Sequence, residues 1–269
     1  MTVPTLTLNN GVRIPQLGFG VFQVPDAETE AAVAEALDAG YRSIDTAAVY
    51  GNERGVGRAI AASGIARDEL FITTKLWNSD QGRDTVRAAY ESSLAKLGLD
   101  HVDLYLIHWP APAAGRFVES WQAMEELYAE GAVRAIGVSN FLPEHLRAVL
   151  ELGGTVPAVN QIELHPALHQ ADVTEVGARH GIATEAWSPL AQGAMLEHPV
   201  ITAIAGRLGR TPAQVILRWH LQEGRIVIPK SVTPSRIREN LDVFGFELGA
   251  DDLAAIDALE TPDGAGRIG

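Results

Sequence analysis

Short apolar runs alternate with longer stretches of helical periodicity along almost the whole chain. The runs cover residues 17–20, 42–45, 70–75, 102–108, 133–138, 158–163, 182–186 and 225–228. Several are unbroken Val/Ile/Leu segments, which is what strands covered on both faces require. Helical spacing appears over 27–39, 52–62, 83–97, 118–129, 143–150, 171–180 and 211–222, with a last helix over 251–259. Thr211-Pro212 is a good helix start, with a hydroxyl at the cap and Pro at the first position. Gly40, Gly98 and Gly131 follow helical stretches and read as stops. Ahead of the first run, Asn9-Asn10-Gly11 separates two short alternating segments and predicts a β-hairpin. No linker divides the chain, so the pattern predicts one domain over 1–269. Its fold class is α/β, a (β/α)8 TIM barrel with an N-terminal hairpin and a C-terminal extra helix. An open doubly wound sheet is the competing arrangement, but its Gly-rich fingerprint is missing. Residues 18–23 lack the third Gly, and 55–60 end in Ile and follow no strand.

The polar residues are not spread evenly over this pattern. Asp45, Lys75 and His108 end the second, third and fourth runs, and Ser139-Asn140 follow the fifth. Gln161 lies inside the sixth, Trp187 follows the seventh and Lys230 follows the eighth. In a closed barrel all these positions share the carboxyl-end rim, where barrel enzymes keep their chemistry. Trp77, Trp109 and Trp187 stand on the same rim, so an aromatic wall around a polar centre is expected there. Trp121 and Trp219 fall inside helices and read as packing.

Charge narrows the partners. Lys and Arg number 21 against 34 Asp and Glu, a formal net charge of −13. That disfavours a general nucleic-acid binder and a partner of anionic membranes. Cysteine is absent, which removes disulfides, thiolate metal sites and cysteine nucleophiles. His165 and His169 have the spacing of a metal pair, but Pro166 intervenes and no carboxylate pattern supports it, so no metal is expected. No stretch approaches a membrane span, and Met1-Thr2-Val3-Pro4 lacks signal-peptide character. A cytoplasmic monomer is the expectation. One stretch runs against the overall charge. Between 225 and 240, Arg225, Lys230, Arg236 and Arg238 oppose only Glu239, a local +3 suited to a phosphate.

Six segments together carry a family resemblance. They are 40–53 (GYRSIDTAAVYGNE), 73–77 (TTKLW), 103–110 (DLYLIHWP), 137–141 (GVSNF), 159–163 (VNQIE) and 228–231 (IPKS). In this order the chain resembles an aldo-keto reductase over essentially its whole length. Within that family it is similar to the bacterial 2,5-diketo-D-gluconate reductases, with Phe22 and Trp187 among the shared details. The resemblance implies NADPH-dependent reduction of a small carbonyl compound, with Asp45, Tyr50, Lys75 and His108 as the catalytic tetrad. Tyr50 would be the acid, and a nearby Lys75 ammonium would lower its pKa from the usual value of about 10. Asp45 would orient Lys75, and His108 would hydrogen-bond the carbonyl oxygen. For the cofactor, Trp187 would stack on the nicotinamide while Ser139, Asn140 and Gln161 hold its carboxamide. Ser188, Leu190 and Gln192 would follow the pyrophosphate. Lys230, Ser231, Val232 and Arg236 would take the 2′-phosphate end, with Glu239 and Asn240 at the adenine. Phe22, Trp77, His108 and Trp109 would face the substrate, with Phe141 as a further wall. The segment after Gly264 is shorter than the tail of many relatives, so little cover over the substrate is expected.

Two other functions fit a barrel of this kind. One is a regulator that binds NADPH without turnover. The other is a phosphate-handling isomerase or aldolase, in which Lys75 would form a Schiff base. The second fits poorly, because a Schiff-base Lys prefers a desolvated site without a carboxylate partner.

Overall fold

The computed structural model describes residues 3–261. A two-stranded antiparallel hairpin, β1 (Thr5–Thr7) and β2 (Arg13–Pro15), precedes an eight-stranded parallel sheet. The sheet strands are β3 (Phe19–Gly20), β4 (Ser43–Asp45), β5 (Phe71–Leu76), β6 (Leu104–Ile107), β7 (Ala135–Ser139), β8 (Val159–Glu163), β9 (Ala183–Trp187) and β10 (Ile226–Val227). They pair in sequence order, and the ends meet. Leu17 bridges Val227 in parallel, and the Gly18 amide donates to the Val227 carbonyl at 2.8 Å. The sheet is therefore a closed barrel, the (β/α)8 arrangement expected from the alternating pattern.

Around it lie α1 (Asp26–Ala39), α2 (Glu53–Ser63), α3 (Val86–Leu97), α4 (Phe117–Ala129), α5 (Pro143–Leu150), α6 (Ala171–Arg179) and α8 (Pro212–Gln222). The expected C-terminal helix is α10 (Ala250–Asp257). Thr211 does cap α8: its hydroxyl accepts from the Gln214 amide, and the Gln214 side chain accepts from the Thr211 amide at 3.0 Å. Two helices had no counterpart in the hydrophobic pattern. The first, α7 (Pro199–Leu208), buries Ile201, Ile204 and Ala205. The second, α9 (Pro234–Leu241), buries only Ile237 and Asn240, so its amphipathic signal is thin.

Side chains alternate strictly between the barrel interior and the helix layer. On β5, Phe71, Thr73 and Lys75 point inward, while Ile72 and Leu76 pack with the helices. The same parity puts Leu104, Leu106 and His108 inside, along with Ala135, Gly137 and Ser139, Val159 and Gln161, and Ala183, Glu185 and Trp187. At the amino ends of the strands the interior is apolar. Leu8 and Ile14 of the hairpin region pack there with Phe71, Leu104, Leu106, Ala135, Val159 and Ile226 and form its floor. Burying Leu or Ile stabilises by about 1.5–3 kcal/mol per side chain. Gly137 makes room in this interior: a Cβ there would sit 2.6 Å from the Val159 carbonyl oxygen and 2.8 Å from Leu106. Above the floor the inward residues become polar, and that change marks the site. Residues 264–269 lie outside the described residues.

Candidate active site

The inward polar layer is a connected network. The Lys75 ammonium donates to Asp45 Oδ1 at 2.6 Å and to the Thr46 carbonyl at 2.9 Å. The Gln161 amide nitrogen donates to Asp45 Oδ2 and to Glu185 Oε2, both at 2.8 Å. Lys75 is wholly buried and Asp45 nearly so, so the pair sits where charges attract strongly and are costly to separate. Tyr50 lies directly over it, with the Lys75 nitrogen 5.2 Å from the ring centroid. His108 packs edge-on against both Tyr50 and Trp77, with ring centroids 5.6 Å and 5.1 Å away. Asp45, Tyr50, Lys75 and His108, expected from three separate segments, are thus brought together.

The loop that carries Tyr50 is held from below. Residues Ala48–Tyr50 form one 3-10 turn, and Gly51 leaves it at φ 70°, where Gly has no steric penalty. Asn52, fully buried, donates to the Val21 and Val24 carbonyls at 2.9 Å and accepts from the Thr46 hydroxyl at 2.8 Å. Glu53, also buried, accepts from the Thr74 hydroxyl at 2.7 Å and pairs with Lys96 at 3.2 Å. Sequence reasoning quoted Asn52 and Glu53 in a motif but gave them no task.

Above the network opens a cavity of 1020 Å3. Phe22, Val49, Tyr50, Trp77, His108 and Trp109 line one end. Phe22 is half exposed and tilts over Tyr50 at 5.1 Å. Phe141 is not part of this wall, contrary to expectation. It is fully buried against Phe117 at 5.4 Å and His145 at 5.8 Å, because the backbone after Asn140 turns it into the helix layer.

The other end is shaped for a long, partly anionic ligand. Ser139, Asn140, Gln161, Trp187, Ser188, Leu190 and Gln192 line it, together with Thr211-Pro212-Ala213 at the start of α8. Trp187 donates its indole N–H to Asn140 Oδ1 at 2.9 Å. Asn140 itself donates to the His108 carbonyl and the Ser139 hydroxyl, both at 3.0 Å. Its amide hydrogens are therefore engaged within the protein, and a lone pair on Oδ1 is what it still has to offer. Asn140, Ser188, Ala191 and Gln192 all have φ between 47° and 61°. Such strained non-Gly backbone gathers at ligand sites.

At the far end stand Lys230, Ser231, Arg236, Glu239 and Asn240. Val232, expected beside them, is half exposed and lies outside the lining, because the chain bends here, with the Thr233 amide donating to the Ser231 hydroxyl at 3.1 Å, and leaves Val232 facing solvent. The local +3 is also reduced in space. Arg238 pairs with Glu35 on α1, and Arg225 lies 4.4 Å over Trp219. Lys230 and Arg236 are the cations that reach the cavity, and both are exposed and free to adjust.

Burial governs the proton affinities. It pushes the Tyr50 hydroxyl up; Lys75 pulls it back, but Asp45 and Glu185 add to the rise. The net direction is upward, opposite to the sequence expectation, which counted Lys75 without the desolvation. Burial works most strongly against the Lys75 ammonium, yet Asp45, Tyr50 and Glu185 together outweigh it and keep its pKa above the usual value. His108 is brought down to about 3 by burial and by Lys75, so it is neutral at ordinary pH. Its Nδ1 is buried without a hydrogen-bond partner. Glu185 is raised to about 7, first by burial and then by Asp45. No cluster of metal-ligating side chains occurs among the described residues.

Known proteins of the same architecture place the chain. The model of the aldo/keto reductase family matches residues 16–261. An aldo-keto reductase of Mycolicibacterium smegmatis is 58% identical over 258 residues, covering 96% of this chain and 94% of that protein. The crystal structure of an aldo/keto reductase from Brucella melitensis shares 55% identity, with a TM-score of 0.94 and coverage of 96% and 98%. A mutant of Gox0644, crystallised in complex with NADPH, shares 49% identity, with a TM-score of 0.95 and coverage of 100% and 97%. A rim tetrad over a plugged parallel barrel, with matches of this length and identity, makes the chain a member of the aldo/keto reductase family.

Proposed function

We propose that the protein reduces the aldehyde or ketone group of small carbonyl compounds to the alcohol with NADPH. The observation that carries this is the buried Lys75–Asp45 pair under Tyr50, beside a neutral His108, at the base of the cavity. The donor set fits the cofactor. Ser139, Gln161 and the free lone pair of Asn140 offer amide-type hydrogen bonding beside the Trp187 plate, and two cations wait at the opposite end. Gox0644 is a relative whose structure contains NADPH, and an aldo-keto reductase of Bombyx mori is another, with NADP.

NADPH, when bound, supplies the hydride that the carbonyl carbon accepts. The protein supplies the rest. His108 has one ring N–H, and that donor orients and polarises the carbonyl oxygen. Tyr50 transfers its hydroxyl proton to the same oxygen, which completes the alcohol. The phenolate left behind is stabilised by the Lys75 ammonium, whose charge Asp45 holds in place. A raised Tyr50 pKa keeps the proton on the acid until the oxygen becomes more basic. Lys230 and Arg236 would clamp the 2′-phosphate, with Arg presenting a planar fork to two oxygens. Phe22, Trp77 and Trp109 would bound the substrate and favour a small one. Keto-sugar acids such as 2,5-diketo-D-gluconate fit this size class. The same reading has a single-domain protein working as a monomer in the cytoplasm.

The test is a panel of aldehydes, ketones and keto-sugar acids, assayed with NADPH and NADH side by side. NADPH-dependent consumption of a generic aldehyde such as glyceraldehyde is expected. Tight NADPH binding without turnover across the panel would replace this reading with a regulatory one.

A further inference from the structure

Glu185 belongs to the inward polar layer, yet the reaction above gives it no task. It is 1% exposed and sits on β9 directly opposite Gln161 on β8. Burying a carboxyl is costly unless it is paired or protonated, and an aliphatic residue would fill the same space without that cost. Two observations give it a role. First, Gln161 donates both hydrogens of its amide nitrogen, one to Asp45 and one to Glu185. Turned the other way, the amide would set its oxygen against the Asp45 carboxylate, which has no proton to offer, and would give up the two hydrogen bonds its nitrogen now donates. The pair of carboxyls therefore fixes the amide, and the Gln161 carbonyl oxygen is what remains for a ligand in the cavity. Second, the network holds two carboxyls and one cation. Lys75 contacts Asp45, not Glu185. Among the described residues, the charged or titratable groups acting on Glu185 are Asp45 from β4 and Lys75 from β5, and Tyr50 feels its charge from the turn after β4. On the β10 side its register partner is apolar Ile226.

We propose that Glu185 is a positioning residue that locks Gln161 toward the cofactor's carboxamide and shares a single negative charge with Asp45. This rests on the cofactor reading above. With Glu185 protonated, Asp45, Lys75 and Glu185 together are neutral. When it ionises, a net negative charge appears beneath Tyr50 and two residues below Trp187 on the same inward face. That charge opposes formation of the phenolate and favours the cationic oxidised nicotinamide over the reduced one. Discrimination between the two cofactor forms then depends on pH, and Glu185 sets the range, near its raised pKa of about 7.

The experiment has two arms. In the first, cofactor-free protein carrying 13C at the glutamate carboxyls is titrated by NMR. One glutamate resonance is expected to titrate near 7 and to vanish in Glu185→Gln. In the second, the Kd values of NADP+ and NADPH are measured by Trp fluorescence between about pH 6 and 8. The ratio Kd(NADP+)/Kd(NADPH) should fall with rising pH by roughly five- to tenfold in the natural protein, a coupling of ordinary size for one charge. It should be flat in Glu185→Gln, which keeps the acceptor but cannot ionise. Glu185→Leu, which keeps neither, should weaken NADPH binding about tenfold at every pH, with Gln rescuing that loss. The proposal is overturned if every glutamate titrates in the ordinary carboxylate range. It is equally overturned if Glu185→Gln retains the pH slope, or if Glu185→Leu binds NADPH like the natural protein. Failure of the natural protein to bind NADPH would instead remove the cofactor reading, and the positioning role with it. The titration would then still decide the shared charge. That spectrum needs no variant, so a misfolded Glu185→Leu leaves the question decidable.

Discussion

The indole of Trp187 is tied to Asn140 by a 2.9 Å hydrogen bond, and Asn140 is tied to the His108 backbone at 3.0 Å. One side chain thereby links the aromatic plate on β9 to the residue just after β6 that would polarise the substrate. Asn140 adopts φ 61°, so Gly is the replacement that removes the amide without adding strain. Asn140→Gly is expected to weaken NADPH binding by about tenfold, the effect of roughly one lost positioning hydrogen bond. Fluorescence titration through Trp187 measures it, and an unchanged Kd would show that the plate needs no tether.

Tyr50→Phe removes the proposed acid and leaves the ring that packs between Phe22 and His108. NADPH affinity should hold while kcat for aldehyde reduction drops by about 10²–10⁴, the range of general acid catalysis. Turnover close to that of the natural protein would remove Tyr50 from the chemistry.

Lys230 and Arg236 are the cations that reach the far end of the cavity. Replacing both, as Lys230→Met with Arg236→Gln, should raise the KM for NADPH by about a hundredfold and leave that for NADH within a few-fold. The estimate is two charge-assisted hydrogen bonds of roughly 1.5–3 kcal/mol each, discounted for solvent exposure. Equal effects on the two cofactors would place the phosphate elsewhere.

Stability should fall on the acid side through histidines kept neutral by burial. His108 is lowered to about 3, and burial together with Arg225 holds His220 well below its usual value. Both would titrate near 6.5 in the unfolded chain. Below that pH the unfolded state binds the extra protons, so the stabilisation present above 6.5 is lost progressively as pH drops toward 3. Each such histidine contributes a slope of about 1.4 kcal/mol per pH unit. Calorimetric Tm between pH 7 and 4 should fall less steeply in His220→Gln, which can still donate to the Pro189 carbonyl that His220 now faces at 3.2 Å. Parallel curves would show that His220 is not held neutral.

Much of this was legible in the chain, and the rest was hidden for physical reasons. The strand runs carried the barrel because two-sided burial leaves long apolar segments. Asp45, Lys75 and His108 stood out because each interrupts or ends such a run. Glu185 did not. In Ala183–Trp187 a lone Glu between small residues resembles a solvent-facing strand position. Only the register with Gln161 shows that it faces inward. Arg225 and Arg238 counted toward the local +3 because net charge ignores direction. Their partners, Trp219 and Glu35, are supplied by other elements. Phe141 followed the same logic: adjacency to Asn140 suggested the cavity, and the backbone turn decided against it.

The floor of the barrel has a consequence for the order in which the molecule can be built. Leu8 and Ile14 emerge among the first residues, but the surfaces they cover come from strands as late as Ile226, and the seam joins Leu17 to Val227. Closing contacts between such distant residues is entropically slow. During synthesis the apolar face of the hairpin can meet Phe71, Leu104 and Leu106 well before the end, but it cannot be fully enclosed until Ile226 has been made. The segment that plugs the finished barrel therefore gains its full cover only with the last strand.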